Sequence, residues 1–157
     1  MWTRGVVVCG CLLLAGCTGS DSAGSERTDL DAGDKSACEG FFDDLPQTLI
    51  GERRVGLDAD QLSAAYGSPA IVVQCGVDVP EEFDATAQCE VAEHVGWYAP
   101  VEQYDDQDAD VTLFSVTYRP IVEVRLPGEY RPDGIAAALA DLADPVKDNL
   151  TKDKNCL

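Results

Sequence analysis

Of the seven cysteines in this chain, the third decides what the others can do. Cys17 follows Leu14-Ala15-Gly16, which closes a short apolar run, residues 5–16, behind Arg4. A basic start, a short apolar core and small residues ahead of a cut are the marks of an export signal. An aliphatic residue, two small residues and a cysteine make a lipobox. The small residues let a membrane peptidase close on the backbone, and the thiol takes the lipid. A run of about 12 apolar residues is too short to cross a bilayer, which takes about 20. Residues 1–16 therefore read as a lipoprotein signal peptide and Cys17 as the lipidation site. Cys9 and Cys11 leave with the signal. A diacylglycerol brings two palmitate-like chains, each buried methylene worth about 0.8 kcal/mol, and two chains anchor stably where one is marginal. The expected location is extracytoplasmic, lipid-anchored at the outer face of the cytoplasmic membrane.

That address turns Cys38, Cys75, Cys89 and Cys156 into an even set in an oxidising compartment, so two disulfides are expected. Four cysteines allow three pairings. The favoured one is Cys75–Cys89, closing a short loop that contains Pro80, with Cys38–Cys156 joining the two ends of the folded domain. A structural zinc site is the weaker reading, because the chain has no Cys-x-x-Cys and His94 is its one histidine. No metal and no cofactor is expected.

Residues 17–37 read as a flexible tether, rich in Gly, Ser, Thr, Ala and charge, with Leu30 its one sizeable apolar side chain. Such a chain reaches about 25 Å on average. Residues 38–157 then form a single domain able to bury one core. Phe41, Phe42, Leu45 and Leu49 are spaced as on a helix over 37–49, interrupted by Pro46. Asp58 reads as the N-cap of a short helix, with Gln61 three residues on and Gly67 to stop it. Strands are expected over 70–75, over 90–98 as one strand or two short ones, and over 111–118 and 121–126, where Val122 and Val124 alternate with Glu123 and Arg125. Arg119-Pro120 makes the last two either a tight turn or one bent strand. Residues 135–143 close with a helix, and Asp144-Pro145 reads as the start of another helical turn. Helices at both ends with strands between them give an α+β fold built on a mainly antiparallel sheet.

The residues Leu45-Pro46, Gly51, Arg53-Arg54, Tyr66-Gly67-Ser68-Pro69, Cys75-Gly76-Val77, Cys89, Val95-Gly96-Trp97, 114–118 and Val122-Glu123-Val124 resemble a known family. It is the family of actinobacterial lipoproteins catalogued as domain of unknown function 3515, and the likeness covers nearly all of 38–156. Tyr66 stands where that pattern has tryptophan and His94 where it has glycine. The family carries no assigned activity, so the resemblance implies fold and location only.

The charge balance, 29 acidic residues against 11 basic, argues against a nucleic-acid groove and against adhesion of the domain to anionic lipid. Self-repulsion favours a monomer. Nucleophilic catalysis lacks its parts: there is one histidine and no Gly-x-Ser-x-Gly elbow, so no catalytic residue is assigned. Asp106-Gln107-Asp108-Ala109-Asp110 opens like a calcium loop, but Val111 stands where glycine is needed and Thr117 where a glutamate is needed. An acidic turn ahead of a strand is the better reading. Arg54, Arg119 and Trp97 remain as a candidate ligand face: the arginines for a carboxylate, the indole for stacking on sugar or peptide. The opposing view has the arginines paired with local acids and the aromatic in the core. The function expected is therefore a non-catalytic envelope lipoprotein that binds a cell-wall component or a partner protein. The alternative is a carboxylate-dependent glycan hydrolase, which needs two acids facing one cleft about 5 to 10 Å apart.

Overall fold

The structure, a computed structural model, describes residues 29–84 and 86–156. The signal 1–16, the lipidation site Cys17 and residues 18–28 of the tether lie outside the described residues.

The first helix, α1, spans Ala32–Asp43 and so begins inside the stretch read as tether. Asp31 caps it, its carboxylate accepting hydrogen bonds from the backbone N–H groups of Gly33 at 2.7 Å and Asp34 at 2.9 Å. Cys38, Phe41 and Phe42 face inward, and Leu30 packs against the core ahead of the cap. The helix ends before Leu45-Pro46, earlier than the spacing of Leu45 and Leu49 suggested, because Pro46 cannot continue it.

Strands β1 (Thr48–Leu49), β2 (Glu52–Asp58), β3 (Ser63–Tyr66) and β4 (Ile71–Val77) follow, each antiparallel to the last. The helix expected after Asp58 is absent. The capping bond itself forms, from the Gln61 N–H to the Asp58 carboxylate at 2.9 Å, but it closes the turn between β2 and β3. Four-residue β3 alternates half-buried and buried and pairs along its length with β4, so sheet burial outweighs a local helix signal. A short hairpin, β5 (Glu90–Ala92) and β6 (Val95–Trp97), stands apart from this sheet. Then come β7 (Val111–Phe114), β8 (Tyr118–Arg119) and β9 (Ile121–Leu126), the last two separated by Pro120 in a cis peptide.

Helix α2 spans Arg131–Asn149 and runs through Pro145, where a break was expected. Proline removes one N–H and frees the carbonyl four residues back. Here that residue is Asp141, on the exposed side of the helix, whose carboxylate also accepts the Ile50 N–H at 3.1 Å. The buried stripe of Leu139, Leu142, Ala143 and Val146 continues across the proline and holds the helix on the sheet. The chain ends through β10 (Thr151–Lys152), which pairs with β8.

The main sheet has the order β1-β2-β3-β4-β9-β7 and is antiparallel throughout, giving the α+β architecture read from sequence. Both helices cover the face that carries Ile71, Val73, Leu113, Val122, Val124 and Leu126. The opposite face is not left to solvent. Ile121 and Phe114 project from it into a second apolar cluster with Val77, Tyr98 and Val116, roofed by Phe83, Ala87 and Cys89. Glu123, paired across from Phe114 and so on that face, is 1% exposed and reaches Arg125 Nε at 3.1 Å. The alternation over 121–126 is present, but both of its faces are covered.

The disulfides correct the expected pairing. They are Cys38–Cys75 and Cys89–Cys156, not Cys75–Cys89 and Cys38–Cys156. Cys75 points from β4 into the helix layer, directly under Cys38 of α1, with 5.7 Å between their Cα atoms. Cys89 begins the β5–β6 hairpin and meets the tail that follows β10. The loops closed, 37 and 67 residues in separation, each give about 4 kcal/mol in the chain-entropy picture.

The β5–β6 hairpin explains two sequence features at once. Ala92 pairs with Val95, so Glu93-His94 is a two-residue turn with φ of 46° and 71°, the left-handed region that favours glycine. His94 is thus an exposed turn residue in a position suited to glycine. At Gly96 a side chain would strike the Cys156 sulfur and the Thr117 side chain, and the Gly96 N–H already donates to Thr117 Oγ1 at 2.8 Å. Opposite effects are expected two residues apart. His94→Gly should raise stability by about 1 kcal/mol, and Gly96→Ala should lower it by about 1–3 kcal/mol. Urea unfolding measures both; the same sign for the two would contradict this reading of the hairpin.

Candidate functional site

The three residues read as a ligand face fall in three different sheets: Arg54 in β2, Trp97 in β6 and Arg119 in β8. Among the described residues no hydrogen bond, ion pair or ring contact joins any two of them. Arg54 lies opposite Tyr66, which is fully buried and donates its phenol to the Pro46 carbonyl at 3.0 Å. Burial pushes the Tyr66 pKa up, and the neighbouring Arg54 charge pulls against it. Arg119 is engaged by Asp153 at 3.3 Å and by the Tyr118 carbonyl at 3.3 Å. Trp97 is 1% exposed, so its ring is core rather than an open stacking surface. Arg119 is paired with an acid and Trp97 is core, whereas Arg54 sits against the Tyr66 phenol with its Nη1 buried and without a hydrogen-bond partner among the described residues. The three are not brought together.

Trp97 nevertheless leads to the site. It lines a cavity of about 590 Å³ together with Glu82, Asp84, Glu90, Tyr98 and Tyr104. One wall is formed by Glu82, Asp84 and residues 86–89, from the stretch between β4 and β5. The other is the end of β6 and the short 3-10 turn Val101–Tyr104. The Cys89–Cys156 bridge ties the end of the first wall to the chain terminus. Tyr98 bridges to Phe114 of β7 through a pair of backbone hydrogen bonds, which fixes the second wall to the main sheet. Phe83 packs its ring 5.0 Å from that of Tyr98 behind the cavity.

The cavity carries negative charge and aromatic surface. No lysine, arginine or histidine is among its described lining residues. Asp84 is held below the usual carboxylate range by hydrogen bonds from the Thr86 hydroxyl and N–H, both at 2.7 Å. Burial raises the Tyr98 pKa, and Glu82, Glu102 and Asp84 add to it. Tyr104 is raised by burial and by Glu90, whose carboxylate accepts its phenol at 3.3 Å. The indole Nε1 of Trp97 is buried without a hydrogen-bond partner among the described residues. Among the described residues no group of three or more His, Cys, Asp or Glu side chains is arranged to hold a metal ion.

Arg131 was not singled out by its sequence surroundings, yet it shapes this region. It is 4% exposed and reaches under the acidic turn 105–110. Its Nη1 donates to the carbonyls of Asp106 at 2.6 Å and Ala109 at 2.9 Å, and its Nη2 to that of Gln103 at 2.8 Å. Three backbone carbonyls of this stretch are thereby engaged by a guanidinium of the same chain. Its position at the start of α2, well over a turn of sequence from any acidic run, left no local pattern to find it by. Gln103 in turn accepts the Thr112 N–H at 2.6 Å, so the clamp also seats the Val101–Tyr104 turn on β7.

The chain matches the family model described as Protein of unknown function (DUF3515) over residues 4–155, and it belongs to that family. No curated protein and no solved structure matches it.

The clamp is open to direct test. Arg131→Gln shortens the side chain and leaves buried carbonyls without their charged donor, a loss of about 3 kcal/mol. Urea unfolding should show that loss, and added calcium should not restore it. A loss under about 1 kcal/mol, or full rescue by calcium, would contradict the clamp.

Proposed function

We propose that this protein is a lipid-anchored envelope protein, held at the outer face of the cytoplasmic membrane through Cys17, that binds a cell-wall component or a partner protein without catalysis. The observation that carries the binding reading is the cavity bordered by Glu82, Asp84, Trp97, Tyr98 and Tyr104. Concave sites with aromatic walls and a few convergent polar groups are where small ligands and peptide side chains are held. The frame is fastened by a disulfide at one wall and by the Arg131 clamp beside the other. Support for the compartment comes from the two disulfides, which persist in oxidising surroundings. The lipobox at 14–17 supports the anchor.

The hydrolase alternative asks for a carboxyl held above its ordinary range to act as the acid. Asp84, held low by Thr86, is suited to being a permanent negative charge. The negative charge and aromatic surface of the cavity favour binding over bond cleavage.

Fractionation and wall sedimentation test the two parts. Cys17→Ala should move the protein from membrane to soluble fraction, and a variant still membrane-bound with its signal removed would defeat the anchor. Thr86→Trp, filling the cavity from an exposed lining position, should leave anchoring intact. It should lower retention on wall fragments by about 10-fold, equivalent to about 1.4 kcal/mol. Unchanged retention would remove the cavity as the binding site, and release of soluble sugar fragments from the wall would favour the hydrolase.

A further inference from the structure

The two disulfides sit in opposite surroundings. Cys38 and Cys75 are both 0% exposed and lie inside the helix-facing core, closed to a solute until that packing opens. Cys89 and Cys156 are half-buried at the surface. Each lines a different opening: Cys89 the cavity of about 590 Å³, and Cys156 a second one of about 180 Å³ between the β5–β6 hairpin and the stretch after β10. The second cavity has the reverse charge of the first. His94, Lys152 and Lys154 line it beside Cys156, with no Asp or Glu among its described lining residues. That grouping stands out in a chain with 29 acidic and 11 basic residues. Partly exposed cysteines in electropositive surroundings are the reactive ones, because nearby positive charge stabilises a departing thiolate. The stretch that holds Cys156 is also lightly fastened. Two residue pairs join β10 to β8, the Asp153 and Lys154 N–H groups share the Thr117 carbonyl at 2.9 and 3.4 Å, and Asp153 makes a surface ion pair with Arg119. Local opening of such a stretch costs far less than global unfolding.

We infer that the Cys89–Cys156 bridge is a thiol–disulfide exchange site, opened in the folded protein by a dithiol reductant, whereas Cys38–Cys75 is a permanent fastening. The inference goes beyond the binding reading above and stands whatever the larger cavity holds. One thiolate of the reductant attacks Cys89 Sγ, forming a mixed disulfide and breaking the Cys89–Cys156 bond. The bonding pair leaves on Cys156 Sγ, in the cavity lined by His94, Lys152 and Lys154, and that sulfur takes a proton from water. The second sulfur of the reductant, as thiolate, then displaces Cys89, which is protonated in turn. The bridge gains two electrons and two protons, and the dithiol loses both on becoming a disulfide. Opening frees the stretch after β10 from the β5–β6 hairpin and unties one wall of the larger cavity.

Partial reduction of the full chain in non-ionic detergent tests it. Dithiothreitol is added without denaturant, samples are quenched over time with N-ethylmaleimide, and the labelled thiols are located by peptide mapping. Cys89 and Cys156 should appear together, at least about 100-fold faster than Cys38 and Cys75, while circular dichroism keeps the folded signal. With reduced glutathione in place of dithiothreitol, the trapped mixed disulfide should sit on Cys89. Lys152→Gln, at an exposed position, should keep its thermal midpoint and slow the reduction by about 3-fold at low salt. That difference should vanish at about 1 M salt, where charges are screened within about 3 Å. Equal rates for the two bridges, earlier opening of Cys38–Cys75, or reduction only under unfolding conditions would overturn the inference. So would glutathione trapped on Cys156, or an unchanged rate for Lys152→Gln at low salt.

Discussion

The Cys89–Cys156 disulfide closes the molecule, and the cavity side is organised around it. The bridge brings the chain terminus against the β5–β6 hairpin, where its sulfur occupies the space that a side chain at Gly96 would need. The tail so fixed pairs β10 with β8, sets Asp153 against Arg119, and lays Lys154 over Phe83. Those contacts hold the segment between β4 and β5, which has little regular structure of its own, as one wall of a cavity. The other disulfide, Cys38–Cys75, has a separate task in fastening α1 to the centre of the sheet. Each bridge therefore anchors an element that the six-stranded sheet cannot hold by strand pairing.

Acidity is managed in two ways. On most of the surface the carboxylates face water. At the acidic turn 105–110 the backbone turns its carbonyls inward onto Arg131, so the charge that steadies the turn is covalently part of the protein. The cavity is a third environment, in which Glu82, Asp84 and Glu90 surround aromatic surface without a resident cation among the described lining residues. The contrast between a turn with its own guanidinium and a cavity with none is the physical basis for placing recognition in the latter.

Much of the fold was legible because its strands announce themselves by period and by β-branched residues. The runs that became β4 and β9 were read close to their bounds, whereas the strand read over 111–118 stops at Phe114 and turns before β8. What failed did so for identifiable reasons. Asp58 makes the capping bond its sequence promises, but a turn and a helix start use the same bond, and only pairing of β3 with β4 decides between them. The extent of α2 was hidden by Pro145, whose local cost is offset by a buried stripe on both sides of it. Disulfide pairing cannot be read from loop length, because it depends on which face of β4 carries Cys75. The cavity was partly legible: Trp97 drew notice as an aromatic, while Glu82, Asp84 and Tyr104 lie in irregular segments that carry no periodic signal. Arg54 and Arg119 stood out as scarce cations, and in the fold they lie against Tyr66 and Asp153.

The central claim is that this protein meets its target through the cavity. Site-specific photo-crosslinking in intact cells tests it most directly. A photoreactive residue would replace Val101, which lines the cavity and is 71% exposed, or Val55, a similarly exposed residue of β2 at 66%. Expected is a discrete crosslinked product, wall material or a single protein, from position 101 and none from position 55. Crosslinking from position 55 alone, or equally from both positions, would contradict the account.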